Sequence, residues 1–381
     1  DILFFWVARM IMAGYEYRGR EPFGDVYLTG MVRDKQKRKM SKSLGNSPDP
    51  IGLIEKYGAD GVRVGMLLCS PAGNDLLYDD SLPEQGRNFA NKIWNAFRLV
   101  MTTEVDETIE QPKASAAVVA WMRNTIDKTL ADIEDNFVRY RISDALMQAY
   151  KLFWDDFSGW YLEIIKPAFG KPMDGRTHKE TLAIFGDLMK ILHPFMPFIT
   201  EEIWQRLSVR PEGSSIMTEQ MPLPAPFEAG MLQRFDTVRE IVTAVRSIRK
   251  ERNIPVRDPL VLCASPGATG TEFDPVIVRL CNLSEIRVVE GKVEGAASFR
   301  TQTSEFFIPL TDGIDHEEEI RKLEEELVYQ EGFLASVLQK LSNEKFVANA
   351  PEKVIAIERK KEADARARID TIRESLAHLR K

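Results

Sequence analysis

A chain of 381 residues, 44% hydrophobic and 29% charged, has room for several buried cores and is too apolar for wholesale disorder. Its formal net charge of −7 excludes a uniform polycation, while local basic patches stay open as nucleic-acid contacts. Cys69, Cys263 and Cys281 stand far apart with no C-x-x-C pair, which argues against a disulfide framework or a zinc site and for a reducing, cytoplasmic setting.

The run Ile2 to Met12 is predicted as a helix. It is too short to span a bilayer, contains Arg9 and lacks the basic start and cleavage site of a signal peptide, so we expect it buried in a larger domain. With Asp1 where an initiator methionine would stand, we expect the polypeptide to continue upstream. Asp25 to Met31 (DVYLTGM) is predicted as a short strand, followed by a basic loop from Arg33 to Ser43 and, past Pro48 and Pro50, a helix over Ile51 to Tyr57. Residues 1–85 thus read as mixed α/β, and a strand entering a polar loop at its carboxyl end is where open α/β sheets bind ligands.

Residues 86–228 are predicted to form a helix bundle. Phe137, Ile142, Leu146, Phe153, Phe157, Trp160, Tyr161 and Ile164 recur at helical spacing until Pro167, and aromatics so spaced are core residues first. Further helices are expected over 86–104, 117–134, 178–192 and 198–207. Residues 229–312 begin with a helix bearing Leu232, Phe235, Val238, Val242 and Val245 on one face and Arg246, Arg249, Lys250 and Arg252 on the other. Pro255 ends it, and strands over Leu260–Ala264, Ile286–Val289 and Glu305–Leu310 make a small α+β module. Residues 313–381 are predicted as two long helices joined through Ser342 to Pro351 into an antiparallel hairpin. The first has apolar positions at Ile320, Leu323, Leu327, Leu334, Leu338 and Leu341, the second at Ile355, Ala365, Ile369, Ile372, Leu376 and Leu379. Acidic residues crowd the first helix and basic ones the second; exposed ion pairs add only ~0–1 kcal/mol each, so the apolar seam must carry the stability.

The densest chemistry lies at Lys39-Met40-Ser41-Lys42-Ser43, followed by Leu44-Gly45-Asn46. Lysine ammonium groups approach a triphosphate as point charges, serine hydroxyls donate to its oxygens, and Gly45 permits a tight turn. Such a loop suits stabilisation of departing pyrophosphate, where one donor acting in the transition state is worth roughly 3–4 kcal/mol. A solvated basic loop is the plainer use of a charge run.

The order of these five residues resembles the KMSKS signature of class I aminoacyl-tRNA synthetases. Asp25 to Asp34 (DVYLTGMVRD) resembles the strand that precedes it, and Ile191 to Trp204 (ILHPFMPFITEEIW) resembles the anticodon-domain signature of the valine, isoleucine, leucine and methionine enzymes. Within that family, Asp1 to Met10 (DILFFWVARM) and the hairpin with Asn343 to Pro351 (NEKFVANAP) at its turn resemble the valine branch.

The resemblance implies a mostly helical chain: part of a Rossmann-type catalytic domain with a stem-contact region (1–85), a helical anticodon-binding bundle (86–228), a linking helix with an α+β module (229–312) and an antiparallel coiled-coil tRNA-binding hairpin (313–381). It implies that Lys39 and Lys42 contact the ATP phosphates, Lys42 in the transition state, while Met40, Ser41 and Ser43 shape the loop. Gly30, Met31 and Val32 would lie along the adenosine; Asp1, Ile2 and Trp6 would line the amino-acid end of the pocket, although plain core packing explains Ile2 and Trp6 equally. The implied reaction joins valine to ATP, with magnesium accompanying the nucleotide, and passes the valyl group to tRNA(Val).

The family's second ATP signature, His-x-Gly-His, fits none of His178, His193, His316 or His378, and His193 reads as a structural histidine at a helix end. A valine pocket rejects threonine by only ~10²-fold, so an editing domain is expected upstream as well. This chain alone is therefore expected to bind tRNA without catalysis. For RNA contact, Arg87, Asn91, Asn95 and Arg98 are candidates, interleaved with aromatics; a solvated face over a core stripe of Phe89, Ile93, Trp94 and Phe97 accounts for the same pattern. The alternatives are an isoleucyl or leucyl enzyme, or an RNA-binding module without catalysis. P-loop, GxGxxG, HExxH and GxSxG signatures are absent, and no metal site is indicated.

Overall fold

The computed structural model describes residues 2–70, 74–301, 304–309, 316–342 and 352–379; Asp1 and the expected hairpin turn over 343–351 lie outside the described residues. The chain divides into two compact units, residues 1–288 with 300–305, and residues 289–299 with 306–381.

The first unit is mostly helical. A π-helical turn, Leu3–Val7, leads into α1 (Ala8–Arg18), which ends at Gly19 with φ of 66°. The helix is as expected and its burial is not: Phe4 is 73% exposed and Trp6 62%. The expected strand over 25–31 is also displaced. β1 is Val32–Arg33, paired in parallel with β2, Leu76–Leu77. A strand persists only where a neighbour supplies hydrogen bonds, and among the described residues the pairing starts at the Met31 carbonyl, which accepts from the Leu76 amide at 2.9 Å. Val26, Tyr27 and Leu28 are accordingly irregular and exposed.

After the loop come α2 (Pro50–Tyr57) and α3 (Ala59–Leu68). Asp49 caps α2, accepting from the Ile51 and Gly52 amides at 3.4 and 3.0 Å, with Pro50 at the first helical position where its missing N–H costs nothing. The sequence reading did not separate α3, whose turn begins at Gly58 with φ of 78°.

The bundle consists of α4 (Ser81–Thr102), α5 (Lys113–Val138), α6 (Ile142–Lys151), a π-helical stretch Leu152–Tyr161 running into α7 (Leu162–Ile165), α8 (Gly175–Leu192) and α9 (Pro197–Leu207). Its centre is the predicted aromatic set: Phe153, Phe157, Tyr161, Leu146 and Ile164 are fully buried, joined by Phe89 and Phe185. Phe185 meets Phe157 edge-on at 5.3 Å, the arrangement that aromatic quadrupoles favour.

A cap from outside its own helix ties α9 to α3. Pro197 starts α9 without an N–H, and Met196 before it has no side-chain acceptor. The free amides of Phe198 and Ile199 donate instead to Asp60 of α3, at 3.3 and 2.7 Å. Arg63, one turn on, donates to the Phe195 and Pro194 carbonyls at 3.1 Å each, and His193 bonds through Nδ1 to Thr200 at 2.7 Å. Burial raises the Asp60 carboxyl pKa while the two amides pull against it, and burial lowers that of His193. Asp60→Ala should cost about 1–3 kcal/mol in chemical denaturation, because two part-buried amides lose a charged acceptor, and Asp60→Asn should cost less. A loss under about 0.5 kcal/mol for the alanine variant would mean that water serves those amides equally well.

Helix α10 (Ala229–Glu251) packs Phe235, Val238, Val242 and Val245 inward as expected. Arg249 departs from the predicted basic face. It is 5% exposed and donates to the Pro255 and Cys281 carbonyls at 2.9 Å, holding α10 to α11 (Asp274–Cys281). Arg246, Lys250 and Arg252 do face solvent. Strand β5 (Leu260–Ala264) pairs in parallel with β6 (Leu283–Val288); two further two-residue strands, β3 (Val105–Asp106) and β4 (Met173–Asp174), pair within the bundle.

The second unit holds β7 (Ala296–Arg300), β8 (Glu305–Pro309) and two long helices, α12 (His316–Leu341) and α13 (Glu352–Leu379). Phe299 and Phe306 stack at 5.2 Å. Glu331 pairs with Arg373 while Lys340 faces Glu358, so positions rise along one helix as they fall along the other and the two run antiparallel. Ala365, Ile369, Ile372 and Leu376 are buried as predicted; among the described side chains of α12, Val337 is buried, Leu327, Leu334 and Leu341 are half-buried, and Leu338 is exposed. Ile320, Leu323 and Leu379 lie outside the residues whose side chains are described.

Candidate functional site

The loop from Arg33 to Asn46 is a braced structure. Arg33 and Lys39 face each other in an antiparallel bridge, the Met40 amide donates to the Val32 carbonyl at 3.1 Å, and Lys37 takes the left-handed conformation (φ 64°) that closes the turn between them. Asp34, 7% exposed, lies inside this turn. Its carboxylate accepts from the Gln36 amide at 3.0 Å, the Arg38 amide at 2.9 Å, Arg38 Nε at 2.8 Å and Asn46 Nδ2 at 2.9 Å. These donors, Asn46 foremost, hold its pKa at about 2 against the pull of burial.

Beyond the turn, Lys42 to Leu44 form one 3₁₀ turn. Ser41 caps it, accepting from the Leu44 amide at 3.3 Å and lying 3.1 Å from the Ser43 hydroxyl; Gly45, with φ of 63°, ends it in the tight turn expected of that glycine. Asn46 clasps the motif from behind, accepting from the Ser41 amide at 3.0 Å and donating to the Lys39 carbonyl at 3.3 Å.

Lys39, Lys42 and Ser43 are exposed, with Met40 and Ser41 half-buried beneath them. No ion pair between described residues engages Lys39 or Lys42, whereas neighbouring Lys35 is bound to Asp79 at 2.7 Å. The motif therefore presents two uncommitted cations on a backbone fixed by side chains outside it, an arrangement suited to a polyanion that enters from solvent.

Gly30, Met31 and Val32 lie at the foot of the loop. A Cβ on Gly30 would fall 1.7 Å from the Asn74 carbonyl oxygen, so only glycine allows this approach of two backbones. The Met31 amide donates to Asp75 Oδ1 at 2.9 Å, and the other oxygen of that carboxylate takes Arg33 Nε at 2.5 Å, which lowers the Asp75 pKa. Ile2 and Trp6 are exposed; Asp1 is outside the described residues. The motif reading leaves out Asp34, Asn46 and Asp75. Asp34 and Asn46 do stand within the quoted stretches, and asparagine and aspartate are the side chains that bond nearby backbone in turns.

On α4, Arg87, Asn91, Asn95 and Arg98 share one exposed face, while Phe89, Ile93 and Phe97 are buried behind it and Trp94 is half-buried. Arg87 also donates to the Lys56 carbonyl at 3.1 Å. On α13 the basic side chains pair largely along their own helix, Lys361 with Glu358 at 2.7 Å and Arg366 with Glu362 at 2.9 Å; Arg373 crosses to Glu331 at 2.7 Å, and Arg359 and Lys360 are exposed. No helix among the described residues is long and apolar enough to cross a membrane.

Three family models match the chain. The model described as tRNA synthetases class I (I, L, M and V) covers residues 1–79, the anticodon-binding domain of tRNA ligase covers residues 120–264, and the valyl tRNA synthetase tRNA binding arm covers residues 315–380. Over its full length the chain is 58% identical to a valine–tRNA ligase of Parabacteroides distasonis, of which it covers 44%, and 56% identical to that of Phocaeicola vulgatus, of which it covers 43%. A valine–tRNA ligase of Chlorobaculum tepidum is 37% identical over 97% of the chain. The chain thus spans a little under half the length of the curated relatives it matches. With the motif loop in the segment matched to the class I model and the antiparallel helices in the segment matched to the valyl arm, the chain belongs to the valine–tRNA ligase family of class I aminoacyl-tRNA synthetases.

Proposed function

We propose that this chain carries the pyrophosphate-stabilising loop and the tRNA-binding parts of a valine–tRNA ligase. The polypeptide it belongs to would join valine to ATP with magnesium, form valyl-adenylate and pass valine to tRNA(Val). The observation that carries this reading is the braced loop with Lys39 and Lys42 both exposed, in a chain 58% identical throughout to a valine–tRNA ligase. In the four-part division, residues 1–85 complete a catalytic domain, 86–228 read the anticodon, 229–312 link, and 313–381 form a coiled coil laid against tRNA. The ATP contacts are Lys39, Lys42 and the loop hydroxyls, with Gly30, Met31 and Val32 along the adenosine and Ile2 and Trp6 toward the amino acid. Arg87, Asn91, Asn95 and Arg98 face the anticodon. By itself the chain binds tRNA without forming adenylate, because none of its histidines stands in a His-x-Gly-His element.

Titration of the chain with tRNA bearing the valine anticodon, and with the same tRNA altered in the anticodon, tests this at two salt concentrations. The valine anticodon should bind roughly tenfold tighter, since each stacked base is worth about 1–3 kcal/mol, and the ratio should survive added salt. Asn91→Ala with Asn95→Ala should erase the ratio. Binding that ignores the anticodon and collapses with salt would leave only phosphate contacts and defeat the assignment of the α4 face.

A further inference from the structure

Asn46 holds the motif by both ends of its amide: Oδ1 takes the Ser41 amide and Nδ2 reaches the Lys39 carbonyl, so the two peptide groups flanking Met40 share one clasp. The direction of that clasp is not set by Asn46 itself. An amide turned end for end would set its oxygen against the Lys39 carbonyl and its NH₂ against the Ser41 N–H, and a charged partner that accepts and does not donate opposes that turn most strongly. Asp34 is that partner. Its carboxylate, well below the usual range in pKa, takes Asn46 Nδ2 at 2.9 Å while two backbone amides and Arg38 Nε fix the carboxylate in place.

We propose that Asp34 is a positioning residue for the phosphate loop: by fixing which way the Asn46 amide faces, it sets the backbone at Lys39 and Ser41, and so the direction in which Lys39 and Lys42 are offered. It touches neither lysine through a side-chain contact, and its effect travels through one side chain. The proposal rests on the reading of the loop as a triphosphate site, and its first test is independent of that reading.

The test is hydrogen exchange at the Ser41 amide of this chain, resolved to single residues. In the wild type that amide is protected. Asn46→Ala makes it fast, and Asp34→Asn accelerates it roughly tenfold or more although Asp34 does not touch Ser41, as loss of a charge-assisted hydrogen bond predicts. Arg38→Ala, which removes a different Asp34 partner, leaves Ser41 as in the wild type. Equal acceleration by Arg38→Ala and Asp34→Asn would show a turn that merely loosens and would overturn the proposal, as would an unchanged Ser41 rate in Asp34→Asn. In the polypeptide of its relatives' full length, Asp34→Asn should lower kcat of valine-dependent pyrophosphate exchange more than it raises KM for ATP. A coupled Ser41 response in a full-length protein that performs no exchange would sink the ATP reading and leave the coupling standing.

Discussion

Lys42→Ala, introduced into the polypeptide of its relatives' full length, is expected to lower valine-dependent ATP–pyrophosphate exchange roughly 10²–10³-fold while leaving the melting temperature in place. The size follows from the job assigned to the ammonium group: a preorganised charge aimed at an oxygen that becomes more negative as the bond breaks stabilises the transition state by about 3–4 kcal/mol. The unchanged stability follows from the structure. Lys42 is exposed, no ion pair between described residues holds it, and the backbone it rides on is fixed by Ser41, Gly45 and Asn46. Lys39→Ala should act more on KM for ATP if, as proposed, Lys39 meets the phosphates in the ground state as well as in the transition state. Lys35→Ala is the control. That lysine is as exposed, and its charge is engaged by Asp79 in a surface pair worth only ~0–1 kcal/mol. If Lys35→Ala and Lys42→Ala reduced exchange alike, the loop would be contributing general positive potential and the assignment of Lys42 would fail.

Trp121→Ala is expected to destabilise the first unit by about 3–5 kcal/mol, read as a lower midpoint in chemical denaturation. Trp121 of α5 is 2% exposed and stacks on Phe235 of α10 with ring centroids 3.8 Å apart and planes within 19°. The Arg239 guanidinium lies 5.3 Å from both rings and 5.7 Å from Trp160, and it pairs with Asp156, whose pKa is raised by burial and opposed by that arginine. Removing the indole opens a cavity, strips the guanidinium of an aromatic face and leaves the ion pair facing the cavity. Trp121→Phe keeps an aromatic face and should lose far less. A loss under about 1 kcal/mol for the alanine variant would mean that α10 is held to the bundle elsewhere.

How much of this was legible beforehand depended on what kind of information each feature uses. The bundle core was legible because Phe153, Phe157, Tyr161 and Ile164 repeat at the helical period, and period alone decides which face is buried. The motif was legible because its five residues are contiguous. The bracing of that motif was not, since Asp34 acts across twelve positions on Asn46 and Asp75 across forty-two on Arg33, and composition cannot report such pairings. Arg249 was misread for a related reason: an arginine on a polar face is ordinarily solvated, and only the carbonyls of Pro255 and Cys281, brought together by the turn beyond α10, make burial tolerable. The segment 25–31 has strand composition but pairs with no strand among the described residues, which separates propensity from structure.

At Gly61, Gly65 and Gly86 the backbones of helices α3 and α4 meet directly. A Cβ on Gly65 would lie 2.3 Å from the Leu82 carbonyl oxygen, one on Gly86 2.1 Å from that of Gly61, and one on Gly61 3.0 Å from the Arg87 amide. Side chains ordinarily act as bearings, letting packed helices roll or slide by changing rotamer, and these three glycines supply none. The rod that holds Asp60 and Arg63 and the rod that holds Arg87 are therefore keyed together like splined shafts, and a torque applied to α4 near Arg87 is delivered to α3 instead of being taken up in between.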